Sequence, residues 1–290
     1  MKGRSIYFWT FITCLAQLLI ATNCLGQDAA TIPWTTTTKL YSTAVNDTFL
    51  VSVALPEGYD RSQEKYPVVF VTDPRFAFGT AVESARAHAI DGTIPPVVLV
   101  GIGYPGEQGF GRIMQLRSRD FSTVSDPEVP GGWPAWANEI EWGGADAFLK
   151  FIENSLIPAI EENFRVTDDR TYMGWSGGGH FGSYILFNKP SIFKRYLIVS
   201  APFEWFHNGI AFDYEEAYAA KHDSLPAHVF MAVGTGDSES TIQSTKRMAN
   251  ILKSREYKGF TLDTQVFQDK KHYSVWPIAI NNGIQRLFQK

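Results

Sequence analysis

The chain has 290 residues, of which 44% are apolar and 14% aromatic, enough to bury a sizeable core and to exclude an intrinsically disordered class. Its 26 basic and 30 acidic residues leave a formal net charge of −4 with no basic run, so there is no electrostatic footprint for nucleic acid. No internal repeat is present, and the only biased tract is Thr35–Thr38.

The N-terminus reads as a targeting segment. Lys2 and Arg4 precede a mostly apolar stretch, Ile6–Ile20, and small residues follow up to Cys24-Leu25-Gly26. This layout predicts a signal peptide over residues 1–26, cleaved after Gly26, and a single mature domain over 27–290. The apolar stretch is interrupted by Thr10, Thr13 and Gln17 and is short for the roughly 20 residues of a membrane span. A secreted or periplasmic protein without a stable membrane anchor is therefore expected. Both cysteines, Cys14 and Cys24, lie in the leader, so the mature chain is expected to have no disulfide, no cysteine nucleophile and no thiolate metal site.

After the leader, Thr36–Ala44 and Thr48–Leu55 read as strands around an Asn46-Asp47 turn. Tyr66–Thr72 and Pro96–Ile102 are short runs rich in β-branched residues and apolar on both faces, as central strands of a parallel sheet are. Thr80–Ile90 between them suits a crossover helix. Gly103–Gly144, rich in Gly, Pro and Trp, reads as long loops. Asp146–Phe164 has apolar residues at four-residue spacing and predicts a helix, kinked at Pro158. Strands at Arg170–Trp175, Tyr196–Ser200, His228–Val233 and Thr261–Phe267 then alternate with helices at Gly177–Phe187, Phe212–Ala220, Thr241–Ser254 and Val275–Phe288. The alternation predicts an α/β fold with an antiparallel start, a mostly parallel central sheet and helices on both faces.

The run Gly174-Trp175-Ser176-Gly177-Gly178 places a serine between a predicted strand and a predicted helix. A nucleophilic serine on so sharp a turn has close backbone neighbours, which glycine tolerates, and the helix start behind it offers free N–H groups to developing negative charge. Serine needs a base. Of the six histidines, His88 and His180 fall within helices, His207 precedes the expected acid, and His222 and His228 flank a loop before a strand. His272 follows the last strand across Gln268–Lys271, the position of the base in this fold. The base needs an acid to orient it. The strand His228–Val233 runs into Gly234-Thr235-Gly236-Asp237-Ser238-Glu239, making Asp237 the first choice and Glu239 the reserve. Two backbone donors must hold an oxyanion: Gly177 N–H supplies one. The second is expected after strand Tyr66–Thr72, where Pro74 has no N–H, leaving Arg75 or, as the alternative, Phe76.

These segments together resemble the putative-esterase family of α/β-hydrolases over roughly residues 45–290. The resemblance is carried by VVFVTDPRF, VVLVGIGY, RSRDFS, GGADAFLKFIENSLIPAIEENF, RTYMGWSGGGHFGSYILFNKPSIFKRYLIVSAPFEW, VGTGDSE and KKHYSVWP. That group includes siderophore esterases, feruloyl esterases, S-formylglutathione hydrolases and mycolyltransferases. The resemblance implies a Ser176, Asp237 or Glu239, and His272 triad, an acyl-enzyme mechanism, a small-molecule ester substrate and no cofactor or metal. The chain departs from the family in Asp73-Pro74, where relatives commonly carry Asp-Gly, and in Trp175 before the serine. Trp142, Trp205 and Trp175 are candidate substrate contacts, with Trp133 and Trp136 in the same Trp-rich segment as Trp142. Arg119-Asp120 resembles an Arg-Asp pair of the siderophore-esterase branch and is expected to be a structural ion pair, with a substrate contact as the alternative. Acyl transfer to another acceptor, or ligand binding without catalysis, are the rival functions of the same scaffold.

Overall fold

The computed structural model describes residues 31–105, 109–125, 135–207 and 209–289. The leader expected over 1–26 and Trp133 lie outside them. Residues Trp34–Lys290 cluster as one compact unit, and the fold described below is that unit's.

Two antiparallel strands come first, β1 (Thr35–Ser42) and β2 (Asp47–Ala54), joined by a turn in which Asn46 takes a left-handed φ of 56°. Asparagine tolerates that conformation better than most residues. Then β3 (Tyr66–Thr72) leads into helix α1 (Pro74–Ile90) and β4 (Val98–Gly103). β5 (Val166–Trp175), β6 (Arg195–Val199), β7 (His228–Gly234) and β8 (Thr261–Phe267) complete an eight-stranded sheet of order β1-β2-β4-β3-β5-β6-β7-β8. β2 pairs antiparallel with β4, and every pairing from β4 to β8 is parallel. β3 and β4 advance toward one edge and β5 to β8 toward the other. The order reverses beside β3, the topological switch point at which open α/β sheets form a crevice beyond their strand ends.

Helices cover both faces, as expected. Successive strand residues point to opposite faces, and Leu197 and Ile198 of β6 show which helix lies where. Gly182 of α5 (Gly177–Asn188) sits over Ile198 and Tyr172, whereas Gly283 of α8 (Val275–Phe288) sits over Leu197 and Phe230. On the α5 face, Phe181 is fully buried and packs on Phe121 of α2 (Phe110–Phe121), on Phe148 of α3 (Ala145–Phe151) and on Tyr172 of β5. Helices α6 (Ile210–Ala219) and α7 (Glu239–Arg255) complete the set with α4 (Ile157–Asn163). Among the described residues, no helix is long and apolar enough to cross a membrane.

Three local expectations are corrected. The region 103–144 is not all loop: it contains α2 and a short 3-10 turn, Ala135–Glu139. The buried face of α2 includes Gln115, Arg117 and Asp120, so its helical periodicity is invisible to an apolar pattern. Helix α1 starts at Pro74 rather than Thr80, because proline is pre-organised for the first helical turn. The disturbance in the 146–164 helix is a π-helical turn, Ile152–Leu156, ahead of Pro158. Pro158 has no N–H for the carbonyl four residues back, and the ladder widens there, with Ile157 N–H reaching Ile152 O.

Phe181→Ala removes the ring on which three helices and the sheet converge. It is expected to cost about 3–5 kcal/mol in urea unfolding, the usual range for a buried phenylalanine truncated to alanine.

Candidate active site

The chemistry-bearing side chains all stand just past the carboxyl ends of parallel strands. Ser176 follows β5 with φ 56° and ψ −125°, a conformation costly for any residue other than glycine. Its N–H is tied to Val199 O at 2.9 Å, which fixes the turn against β6. A Cβ on Gly174 would collide with the Gly178 carbonyl, so the chain can double back only because residue 174 has none. The Ser176 side chain meets His272: Nε2 lies 3.0 Å from Oγ.

His272 stands between β8 and α8. Its Nδ1 lies 2.8 Å from Asp237 Oδ1, and Asp237 Oδ2 accepts a 2.6 Å hydrogen bond from Ser200 Oγ. Burial pushes the Asp237 carboxyl up, but the hydrogen bonds from His272 and Ser200 outweigh it and hold the group below the usual carboxylate range. The ionised carboxylate accepts from Nδ1–H, which leaves Nε2 with a free lone pair toward the Ser176 hydroxyl. The loops carrying Asp237 and His272 are bonded to each other through Gly236 N–H and Lys270 O at 2.8 Å. Glu239, the reserve acid, lies instead in the first turn of α7, where its carboxylate accepts from Gln243.

Two helix starts face this chain of bonds. Gly177 opens α5, and its N–H has no intrahelical partner. The start of α1 is also open, for an unusual reason. Asp73 occupies the cap position in left-handed backbone but does not cap the helix. Its carboxylate is held by Arg117, through Nε and Nη2 at 2.8 Å each, with both side chains buried. Burial alone would lower the Arg117 pKa, and the Asp73 charge reverses that and raises it. Phe76 N–H is already given to Asp73 O at 2.9 Å, so of the two expected donors only Arg75 N–H stays available in that first turn. The Phe76 ring stands edge-on to Trp175 at 6.0 Å, which sets the start of α1 alongside the serine turn.

The structure separates the three tryptophans. Trp142 and Trp205 line one small pocket together with Gly177, Arg117, His180 and Phe206. Trp175 is buried and away from that pocket. Its indole N–H is given to the His272 carbonyl at 2.8 Å, and its ring lies 4.7 Å from the imidazole, so it braces the His272 loop. Trp136 packs over Gly111 of α2. Arg119 and Asp120 form the structural pair expected, joined by Asp47 and Tyr104, with Asp120 fully buried. Sequence reasoning missed Ser200, Arg117 and the Asp73 carboxylate. A left-handed residue after a strand and a buried arginine have no distinctive spacing, so no sequence signal marks them.

Residues 42–287 match the family model described as Putative esterase. The chain belongs to that family. It is 28% identical over 281 residues to the ferri-bacillibactin esterase BesA of Bacillus subtilis, spanning 91% of this chain and 93% of that protein. It also resembles the crystal structure of the BES protein from Bacillus cereus, with a TM-score of 0.78 and 25% identity over 92% of this chain and all of the other. An IroE-like serine hydrolase from Shewanella oneidensis gives a TM-score of 0.76 and 27% identity, over 88% of this chain and 80% of that one. This esterase therefore has the α/β fold of its family, with the antiparallel hairpin at one edge.

Two outcomes follow for the buried charges. Arg117→Ala strands the Asp73 carboxylate without a partner and is expected to cost about 3–5 kcal/mol in denaturant unfolding, as breaking buried pairs does. Burial lowers the pKa of His180 from 6.5 to about 4. Between those values the unfolded chain binds the extra proton, so stability falls as pH drops from 6.5 toward 4. His180→Leu is expected to flatten that acid limb by up to about 3 kcal/mol, read from unfolding midpoints across pH.

Proposed function

We propose that this esterase cleaves a small carboxylic ester by an acyl-enzyme mechanism, with Ser176 as nucleophile, His272 as general base and acid, and Asp237 as its orienting carboxylate. One observation carries the reading: His272 bridges Ser176 Oγ and Asp237 Oδ1 at 3.0 and 2.8 Å. In this reading Nε2 takes the hydroxyl proton as Oγ attacks the ester carbonyl. Asp237 stabilises the imidazolium that forms, and Ser200 keeps the carboxylate aimed. The tetrahedral oxyanion is held by the N–H groups of Gly177 and Arg75 at the two uncapped helix starts. The imidazolium then gives its proton to the departing alkoxide, and water, activated by the same Nε2, releases the acid.

The relatives bear on the substrate class. One is a ferri-bacillibactin esterase, and another, from Aspergillus fumigatus, is a siderophore triacetylfusarinine C esterase. A siderophore-type ester is accordingly the proposed substrate. It would be met by a domain of residues 27–290 outside the cytoplasm, after removal of residues 1–26.

Ser176→Ala is expected to lower kcat by at least about 1,000-fold on any ester the protein turns over, with folding retained, because the serine cannot be replaced within the unit. A fluorophosphonate probe is expected to label the wild type on Ser176 and not the variant. Equal turnover or labelling in both would refute the assignment. Asp237→Asn is expected to preserve the fold and drop kcat by orders of magnitude, since the amide no longer enforces the Nδ1–H tautomer.

A further inference from the structure

His180 has hydrogen-bonding capacity that the reaction above does not use. It stands one helical turn beyond Ser176, its N–H bonded to Ser176 O at 3.0 Å, and it is 1% exposed. Neither ring nitrogen makes a hydrogen bond to the described residues. The Pro202 carbonyl faces the ring and favours its protonated form, but from outside hydrogen-bonding geometry. Buried polar groups are nearly always paired, so an imidazole kept unpaired beside a reactive serine needs an explanation.

The surroundings narrow it. His180 borders the pocket shared by Gly177, Arg117, Trp142, Trp205 and Phe206, whose free volume is about 10 Å³. That is close to the space one water requires. The Phe206 ring stands edge-on to His180 at 5.4 Å and to Trp142 at 6.0 Å. Phe206 and His207 both hold left-handed backbone, φ 58° and 46°, a strained arrangement that keeps this aromatic wall in place. An apolar acyl chain finds little room there, whereas a group of hydroxyl size fits.

Direction and polarity follow from the same contacts. The pocket begins at Gly177, whose N–H is the oxyanion donor in the reading above. The leaving oxygen must face His272 to receive its proton, and no residue of the His272 loop lines the pocket. The pocket therefore takes the acyl side. A neutral imidazole carries one N–H and one bare nitrogen in either tautomer, so one ring nitrogen is always an acceptor. Burial holds the imidazole neutral at ordinary pH.

We propose that His180 determines specificity for the acyl half of the ester, accepting a hydrogen bond from a hydroxyl or amide N–H that enters this pocket in place of water. The proposal rests on the serine-esterase reading. An acyl group of equal size without the donor would leave the imidazole desolvated and unpaired, and sites built around a polar group discriminate strongly against analogues that lack it.

The test compares p-nitrophenyl 3-hydroxybutanoate with p-nitrophenyl 3-methylbutanoate, which share a leaving group and differ by hydroxyl against methyl. Wild type is expected to favour the hydroxy ester by about tenfold or more in kcat/KM. His180→Leu is expected to bring that ratio close to unity, and His180→Asn to restore part of it. An unchanged ratio in His180→Leu would overturn the proposal. A second measurement does not depend on turnover. In Ser176→Ala protein with 15N-labelled histidine, 3-hydroxybutanoate is expected to move the His180 imidazole resonance, while 3-methylbutanoate leaves it in place. An imidazole resonance that neither acid moves would also overturn the proposal. Failure of wild type to cleave either ester, with the resonance still responding, would count against the serine mechanism and leave the subsite standing.

Discussion

The buried pairing of Asp73 with Arg117 ties together three parts of the molecule. Asp73 follows β3, Arg117 projects from α2, and the guanidinium lies against Gly177 at the start of α5. The pairing diverts a residue that would ordinarily cap a helix. The start of α1 consequently keeps the Arg75 N–H free, and the back of the serine turn rests against a fixed charge. Neither partner can be given up alone without leaving an ion in a dry interior. The geometry beside Ser176 is thus held by an interaction in which the serine takes no part.

The sheet supplies the rest by its order. Because all strands from β4 to β8 run parallel, the loops after β3, β5, β6, β7 and β8 open along one rim. Asp73, Ser176, Ser200, Asp237 and His272 come one from each. Bonds between these loops, Gly236 to Lys270, Ser200 to Asp237 and Trp175 to His272, then set distances that strand spacing alone leaves loose. Rigid strands give position to within a loop's reach, and the cross-loop bonds bring it to hydrogen-bond precision.

Much of this was legible in the sequence, and what was not has a physical reason. The strands were visible because parallel strands buried on both faces leave continuous β-branched runs, as in Tyr66–Thr72. Ser176, His272 and Asp237 were found through chain order and turn chemistry, and the structure brings these three within hydrogen-bonding distance of one another. Helix α2 was hidden because its inward face carries polar groups, Gln115, Arg117 and Asp120, whose partners come largely from other segments. Trp175 was placed with the substrate contacts because an aromatic beside a candidate nucleophile suggests a wall, whereas its indole N–H found a backbone partner. His180 was set aside because it falls within a helix. The pocket it borders, walled by residues from three other segments, has no sequence pattern.

The contact between Trp175 and His272 has one more consequence. An indole ring 4.7 Å from the imidazole, with its N–H on the carbonyl of the same residue, is a native fluorophore built into the foot of the His272 loop. Emission from Trp175 therefore depends on where that loop sits. The brace that steadies His272 also makes its position visible to light, without a label and without a substrate.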